Sequence, residues 1–313
     1  MSVPASINSA WDEYRGWAVR ARELQKSSQN WNKAALICAA AAALLGAAAT
    51  QTAGVPSFGK ALSLLAAVAA ALTPILGKEI LAIGSEAKWI RTRATAEAIK
   101  SECYRFAAGA GDYVGADAAM NFNKRLEVLT ADAVRAGLSP LQNPVDNEHD
   151  KRRPSAPLDP DWYMTSRIED QIKYYRDRQA EHEHAVTQLR YVALGASVLA
   201  AVFGVAGVTD QQVFAPWVAA LMTVATTVAA YGLLDRRQYL AASFGAMATS
   251  LGRVKGIYGS LTTPELVTQA ENLMQSEHAA WTERMTKMIP APITAAVPAP
   301  TLAKAQQETS RAE

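Results

Sequence analysis

Three stretches of this 313-residue chain have residue types that could do chemistry. The run Gly54-Val-Pro-Ser-Phe-Gly59-Lys60-Ala61 follows the phosphate-loop spacing up to its last position. There Ala61 stands where a Ser or Thr hydroxyl should hold magnesium. It also lies between two apolar stretches rather than between a strand and a helix, so a turn explains it better. Gly109-Ala-Gly111-Asp-Tyr-Val-Gly115 has the glycine content of a dinucleotide fingerprint but the wrong spacing, and it follows a helix pattern. A helix stop accounts for it. Glu181-His182-Glu183-His184 offers metal-binding residue types, yet residues two apart on a helix point in nearly opposite directions. A solvated face is the better reading. His149 and His278 read as isolated, and no serine elbow, HExxH or paired-acid arrangement occurs. Cys38 and Cys103 fall on opposite sides of a membrane boundary, which implies no disulfide and no zinc site. The chain is therefore read as a non-enzyme with no metal and no cofactor. Its net charge of +2 gives no reason to expect nucleic acid as a partner.

The informative chemistry is the chemistry of lipid. Four long stretches lack Asp, Glu, Lys and Arg: Ala34–Gly59, Ala61–Gly77, Tyr191–Thr209 and Gln211–Leu234. A helix needs roughly 17–25 apolar residues to cross a bilayer, and soluble core helices usually carry a charge every turn or two. The fold class expected is an all-α membrane protein with four transmembrane helices, at about 34–55, 61–77, 191–209 and 213–234. The first hairpin is rich in alanine (Ala39 to Ala43, Ala47 to Ala49), which lipid favours only weakly, so it needs helix partners.

Positive charge sets the orientation. Residues 1–33 hold five Lys and Arg, residues 78–190 hold 17, residues 235–313 hold eight, and the hairpin turns hold only Lys60. Both termini and the middle segment are expected in the cytoplasm, with Trp31 and Trp217 at interface depth. The first apolar stretch starts after about 30 charged and polar residues, too late for a cleavable signal.

The layout reads as a duplication. Each half has a charged leading helix, two apolar spans, a long charged helix and a shorter one. An offset of 158 residues places Gly46 on Gly204, Lys78 on Arg236, Trp17 on Tyr175 and Trp31 on Leu189. The first unit is expected over 1–138 and the second over 161–289, with a Pro-rich linker at 139–160 and a disordered tail at 290–313. The first leading helix, roughly 5–33, carries Trp11, Tyr14, Trp17, Leu24 and Trp31 on one face. Helix is expected to run on from Lys78 to about Ala108, ending at Gly109 and Gly111. The next is expected from Ala116 to Ala136, stopped by Gly137 and Pro140. The second leading helix is expected from Asp161 to Arg190, and the last two over Asp235–Tyr258 and Pro264–Met288.

The spans carry no ionisable residue, which disfavours an ion-coupled transporter. Their polar content is hydroxyl: Ser63, Thr73, Ser197, Thr223, Thr226 and Thr227. Thr223, Thr226, Thr227 and Ala230 share one helical face. Ala196, Ala200 and Gly204 form a small-residue face suited to close packing. The hydroxyls are expected to knit the helices together, or, in the sharper reading, to line a pore between protomers. Pro74 is placed to kink the second span. Trp89, Arg91, Arg93 and Arg105 lie on the helix rising from the membrane. They are expected either to pack within the helical bundle or to contact anionic lipid, a nucleotide phosphate or a partner, coupling that bundle to the spans.

Trp89-Ile-Arg-Thr-Arg-Ala-Thr-Ala-Glu97, then Ile99-Lys100, Tyr104-Arg105-Phe106 and Gly109-Ala-Gly111-Asp-Tyr113, resemble a signature of the SLATT superfamily. Asp161-Trp162-Tyr163 with Arg167-Ile168-Glu169-Asp170-Gln171 and Tyr174-Tyr175 resembles the opening of a second SLATT subtype. The resemblance spans roughly 8–288. It implies tandem two-transmembrane effector domains in the bacterial inner membrane, associated with SMODS nucleotidyltransferases and SLOG nucleotide sensors in conflict systems. It thus implies a nucleotide-signalling enzyme or a nucleotide sensor as partner. The expected function is a homo-oligomeric, pore-forming or membrane-perturbing effector of anti-phage defence. The alternative is a non-conducting scaffold that recruits cytoplasmic partners, and third comes a small-solute transporter.

Overall fold

The computed structural model describes residues 5–52, 55–81, 85–142, 144, 150–234 and 237–287. They form α1 (Ala5–Gln51), α2 (Pro56–Leu81), α3 (Ser85–Ala107), α4 (Ala118–Arg135), α5 (Pro160–Tyr163), α6 (Asp170–Ala206), α7 (Gln211–Leu234), α8 (Arg237–Gly256) and α9 (Thr263–Lys287). A π-turn over Met164–Glu169 carries α5 into α6 without a break. There is no strand among the described residues.

Burial is distributed as lipid requires. The core belongs to the polar ends of the helices: Ile7, Trp11, Tyr14 and Trp17 of α1, Ile99 and Tyr104 of α3, Phe122 of α4, Tyr163, Ile168, Phe244, Leu251, Leu266 and Met274. The most apolar stretches are instead the least covered. In the four helices able to span a bilayer, only 6% to 17% of the most apolar window is buried. Leu64, Leu65, Val68, Leu72 and Ile75 of α2 are exposed, as are Val192, Leu194, Val198, Leu199 and Val202 of α6. Apolar belts of this extent have no stable place in water. In hydrocarbon they need nothing more, because a helix satisfies its own backbone. This is an all-α membrane protein.

The leading helix does not stop where the membrane begins. α1 is one helix of 47 residues, about 70 Å long at 1.5 Å per residue. That is more than twice the roughly 30 Å of hydrocarbon. Residues 160–206, another 47, make the matching rod. α2 packs on α1 and α7 on α6, and α1 also packs on α7, joining the hairpins within the membrane. Small side chains are buried at these contacts: Ala47 of α1, Ala196 and Ala200 of α6, and Ala220 and Ala225 of α7. Gly204, expected to extend the small-residue face, is exposed instead. At the hairpin ends, Gln51 Nε2 donates to the carbonyl of Val213 at 3.0 Å.

Local chemistry explains where several helices begin or end. α3 closes in a Schellman motif: Gly109 N–H donates to Phe106 O at 3.1 Å and Ala110 N–H to Arg105 O at 2.9 Å. Gly109 sits at φ +60°, a conformation side-chain-bearing residues avoid. Gly137 (φ +73°) stops α4 the same way, with Leu138 N–H on Ala133 O at 3.0 Å. Asp159 caps α5, accepting from Asp161 N–H at 3.0 Å, with Pro160 at the first helical position. Glu265 reaches back to Thr262 N–H at 2.8 Å, half of a capping box for α9.

Of the helix expected from Lys78 to Ala108, α2 supplies the residues up to Leu81 and α3 those from Ser85. Its junction, the start of the expected Asp235–Tyr258 helix, the tail at 290–313, Gly54 and His149 lie outside the described residues. Part of the Pro-rich segment packs on the bundle. Leu158 N–H donates to Ala107 O at 2.9 Å, and Leu141 N–H to Gly16 O at 3.2 Å. A Cβ on Gly16 would stand 2.5 Å from the Leu141 carbonyl, so this close approach needs glycine.

Candidate functional site

α3 follows the first hairpin and α9 closes the second half, and the two pack against each other. Their seam gathers most of the buried charge. At its membrane-proximal end Trp89 meets Trp281, ring centroids 5.2 Å apart. Arg93 lies over the Trp281 ring at 5.4 Å. One turn on, Glu97 accepts from Lys100 Nζ at 2.6 Å, with His278 Nε2 at 3.8 Å on the same oxygen. His278 Nδ1 is 3.6 Å from Glu277, which accepts from the Ser243 hydroxyl of α8 at 3.2 Å. Gln275 Nε2 donates to the Glu97 carbonyl at 3.2 Å. At the far end Arg105 Nη2 donates to Asn272 Oδ1 at 2.7 Å.

Beside the seam is the most buried ion pair described. Arg167 Nε and Nη2 meet the two oxygens of Glu271 at 3.0 and 3.1 Å, and the Tyr163 hydroxyl donates to Glu271 at 2.9 Å. Glu271 is fully buried and Arg167 is 4% exposed. The guanidinium also lies 5.0 Å over the Tyr104 ring. Such a pair returns little net stability but tolerates the loss of neither partner.

The electrostatics follow from burial. Burial pushes His278 down to about 4, against the pull of Glu97, so the ring is neutral at pH 7. Burial would raise Glu97, but Lys100 first, then His278 and Arg167, hold it well below the usual carboxylate range. Lys100 is lowered by burial to about 8. Burial raises Glu277 and raises the Cys103 thiol far out of the reactive range.

Of the residues expected to couple bundle and spans, Trp89, Arg93 and Arg105 meet α9 across the seam, while Arg91 is exposed. Sequence reading missed Glu97, Lys100, Arg167, Glu271 and His278 as a group. His278 is not isolated. A signal was present: Val267, Glu271, Met274, His278 and Trp281 are spaced as one helical face. Two of these five are ionisable, which a buried face tolerates only with partners.

The expected pore-lining residues are not brought together into one site within a chain. Thr223 and Thr226 are exposed on α7, Thr227 is half-buried beside them, Ser197 and Thr73 are half-buried on α6 and α2, and Ser63 is exposed. Five of the six hydroxyls bond within their own helices. Thr223 donates to Ala219 O at 2.8 Å, Thr226 to Met222 O at 2.9 Å and Thr227 to Thr223 O at 2.6 Å. Ser197 donates to Ala193 O at 2.9 Å and Thr73 to Ala69 O at 3.0 Å. Each returns its proton to its own helix, the arrangement that lets a hydroxyl face hydrocarbon. Pro74 lies inside a continuous α2. His184 Nε2 pairs with Gln188 at 2.9 Å and His182 lies tilted against the Phe244 ring, so the two histidines of the acidic run take separate partners.

Comparison with known proteins places two family matches on the chain. Residues 163–281 match the model described as SMODS and SLOG-associating 2TM effector domain 1. Residues 14–120 match a different one, described as a protein of unknown function, DUF4231. No curated protein and no solved structure matches the chain.

Proposed function

We propose, from the premise that this chain belongs to the SLATT family through its residues 163–281, that it is an oligomeric membrane effector of bacterial defence. It sits in the inner membrane with both termini and the bundle in the cytoplasm. It acts without catalysing a reaction, by opening or perturbing the bilayer when a nucleotide-signalling or nucleotide-sensing partner engages the bundle. The first half, despite its match to another model, serves as a second hairpin unit of the same layout.

The observation that carries this reading is the pair of 47-residue helices that run unbroken from the buried bundle into the spans. A continuous helix, the π-turn of the second rod included, passes a displacement at one end to the other. Any rearrangement of Trp11, Tyr14 and Trp17 at the top of α1, or of Tyr163 and Ile168 at the top of the second rod, moves spans directly. Four spans enclose no wide aqueous path, so conduction requires several protomers, with Thr223, Thr226 and Thr227 facing the shared space.

The scaffold reading has its own support. Every one of those threonines is already satisfied by its own helix, and none needs water. Inducible expression in a bacterial host separates the two, with membrane potential followed by a voltage-sensitive dye alongside growth. The effector reading expects depolarisation and growth arrest, blunted by Thr223→Leu/Thr227→Leu at equal protein level. A steady potential, with the chain alone and with a genomic partner co-expressed and triggered, would leave the scaffold.

A further inference from the structure

The Schellman stop at Gly109 and the turn through Gly111 (φ +63°) and Gly115 (φ +87°) fold α4 back beside α3. Between them lies a cleft of about 610 Å3. That volume is within the range of sites for small molecules. Its walls carry Glu102 and Arg105 from α3, Asp112 from the turn, and Lys124 and Arg125 from α4.

The charges there do not cancel. Glu102 is occupied on both oxygens: it accepts from the Tyr113 hydroxyl on one and faces Arg125 Nε at 3.6 Å on the other. Arg105 has no carboxylate partner among the described residues. Among those residues its side chain donates to the neutral amide of Asn272, and its buried Nε finds no acceptor. Lys124 is exposed and pairs with no described carboxylate. With Arg125 set against Glu102, two cations remain against the single exposed carboxylate of Asp112.

An unsatisfied guanidinium nitrogen beside uncompensated positive charge is a standing cost that a bound oxyanion would relieve. The forked donors of arginine match phosphate geometry, and lysine adds a point charge to it. We propose that this cleft binds the phosphoryl group of an anionic phosphate ester, held by Arg105 and Lys124 with Arg125 at its edge. Because Arg105 also holds Asn272 of α9, occupancy bears directly on the α3–α9 seam.

The test uses the full chain in nanodiscs of zwitterionic phosphatidylcholine, followed by thermal unfolding. Inorganic phosphate and glycerol 3-phosphate are titrated against chloride at matched ionic strength. Stabilisation that saturates with either phosphate and is absent with chloride is expected. Lys124→Ala removes an exposed side chain without a partner among the described residues, so the fold survives it. It should weaken binding by roughly ten-fold or more, as loss of one charge-assisted contact does. Arg105→Gln should do the same. Repeating the titration in phosphatidylglycerol nanodiscs identifies the source. A phosphate response competed away there assigns the cleft to lipid headgroups, and an unchanged response assigns it to a soluble ester. No saturable response in phosphatidylcholine, or an equal response in wild type, Lys124→Ala and Arg105→Gln, overturns the proposal.

Discussion

His278 shows what one side chain contributes when its surroundings choose its charge. It faces Glu97, Lys100 and Arg93 from α3, Glu277 from its own helix, and Arg167 from the π-turn. Burial lowers it from its ordinary 6.5 to about 4. Between those values the unfolded chain binds a proton that the folded chain refuses. Stability from this residue is therefore complete above about 6.5 and is lost as pH falls toward 4. Glu97, also held below its ordinary value, adds a loss of the same sign at lower pH. Glu277, raised by burial, opposes it, since its protonated form suits the fold. The net expectation is a bundle whose unfolding temperature falls on acidification from pH 7 to pH 5. His278→Gln, which keeps a polar side chain but does not titrate, should flatten that slope. Unfolding of both proteins in detergent at several pH values checks it, and parallel slopes would remove His278 from the account.

At the scale of the element, the decisive contact is α9 on α3, and it was the least legible in sequence. The aromatic face Trp11, Tyr14, Trp17 could be read because a helix writes its buried side every third or fourth residue, and all three are nearly fully buried. The same face continued to Trp31, which is 42% exposed, because α1 has by then left the bundle. The four spans were visible as missing charge, a signal internal to each segment. Docking of residues near 90 on residues near 280 leaves no periodic trace, since it depends on how two distant helices meet. The ionisable residues along α9 could have raised suspicion but could not name Glu97 or Arg167 as their partners. Trp281→Ala removes the aromatic end of this seam from Trp89 and from Arg93. The usual cost of emptying such a buried site is about 3–5 kcal/mol. Here it should be spent locally, on freeing the end of α9, because the core around Leu266 and Met274 stays intact. Hydrogen exchange should rise along the C-terminal turns of α9 while Ile99 and Tyr104 stay protected. Uniform loss of protection across the bundle would instead make Trp281 part of the global core.

For the whole molecule, the arrangement ties all four spans to a single side. Both long rods leave the same bundle, and both hairpin turns lie at the opposite end, where Gln51 reaches Val213. Positive charge is concentrated on the bundle side, with Lys60 alone at the turns. Lysine and arginine resist translocation, so the bundle side is expected in the cytoplasm and the turns outside. Single cysteines test this in a Cys38→Ser/Cys103→Ala background. Val208→Cys lies in the second turn, where Val208 is 86% exposed, and Phe58→Cys lies near the first, where Phe58 is 55% exposed. Ser260→Cys lies on the bundle side between α8 and α9. A membrane-impermeant maleimide added to intact spheroplasts should label the two turn positions, and Ser260→Cys only after lysis. The opposite pattern would invert the protein and place its buried bundle outside the cell, beyond reach of a cytoplasmic partner. Labelling at Val208→Cys without Phe58→Cys would be more damaging still. It would put the two turns on different sides of the membrane, which one bundle feeding both rods, and the packing of α1 on α7, do not allow.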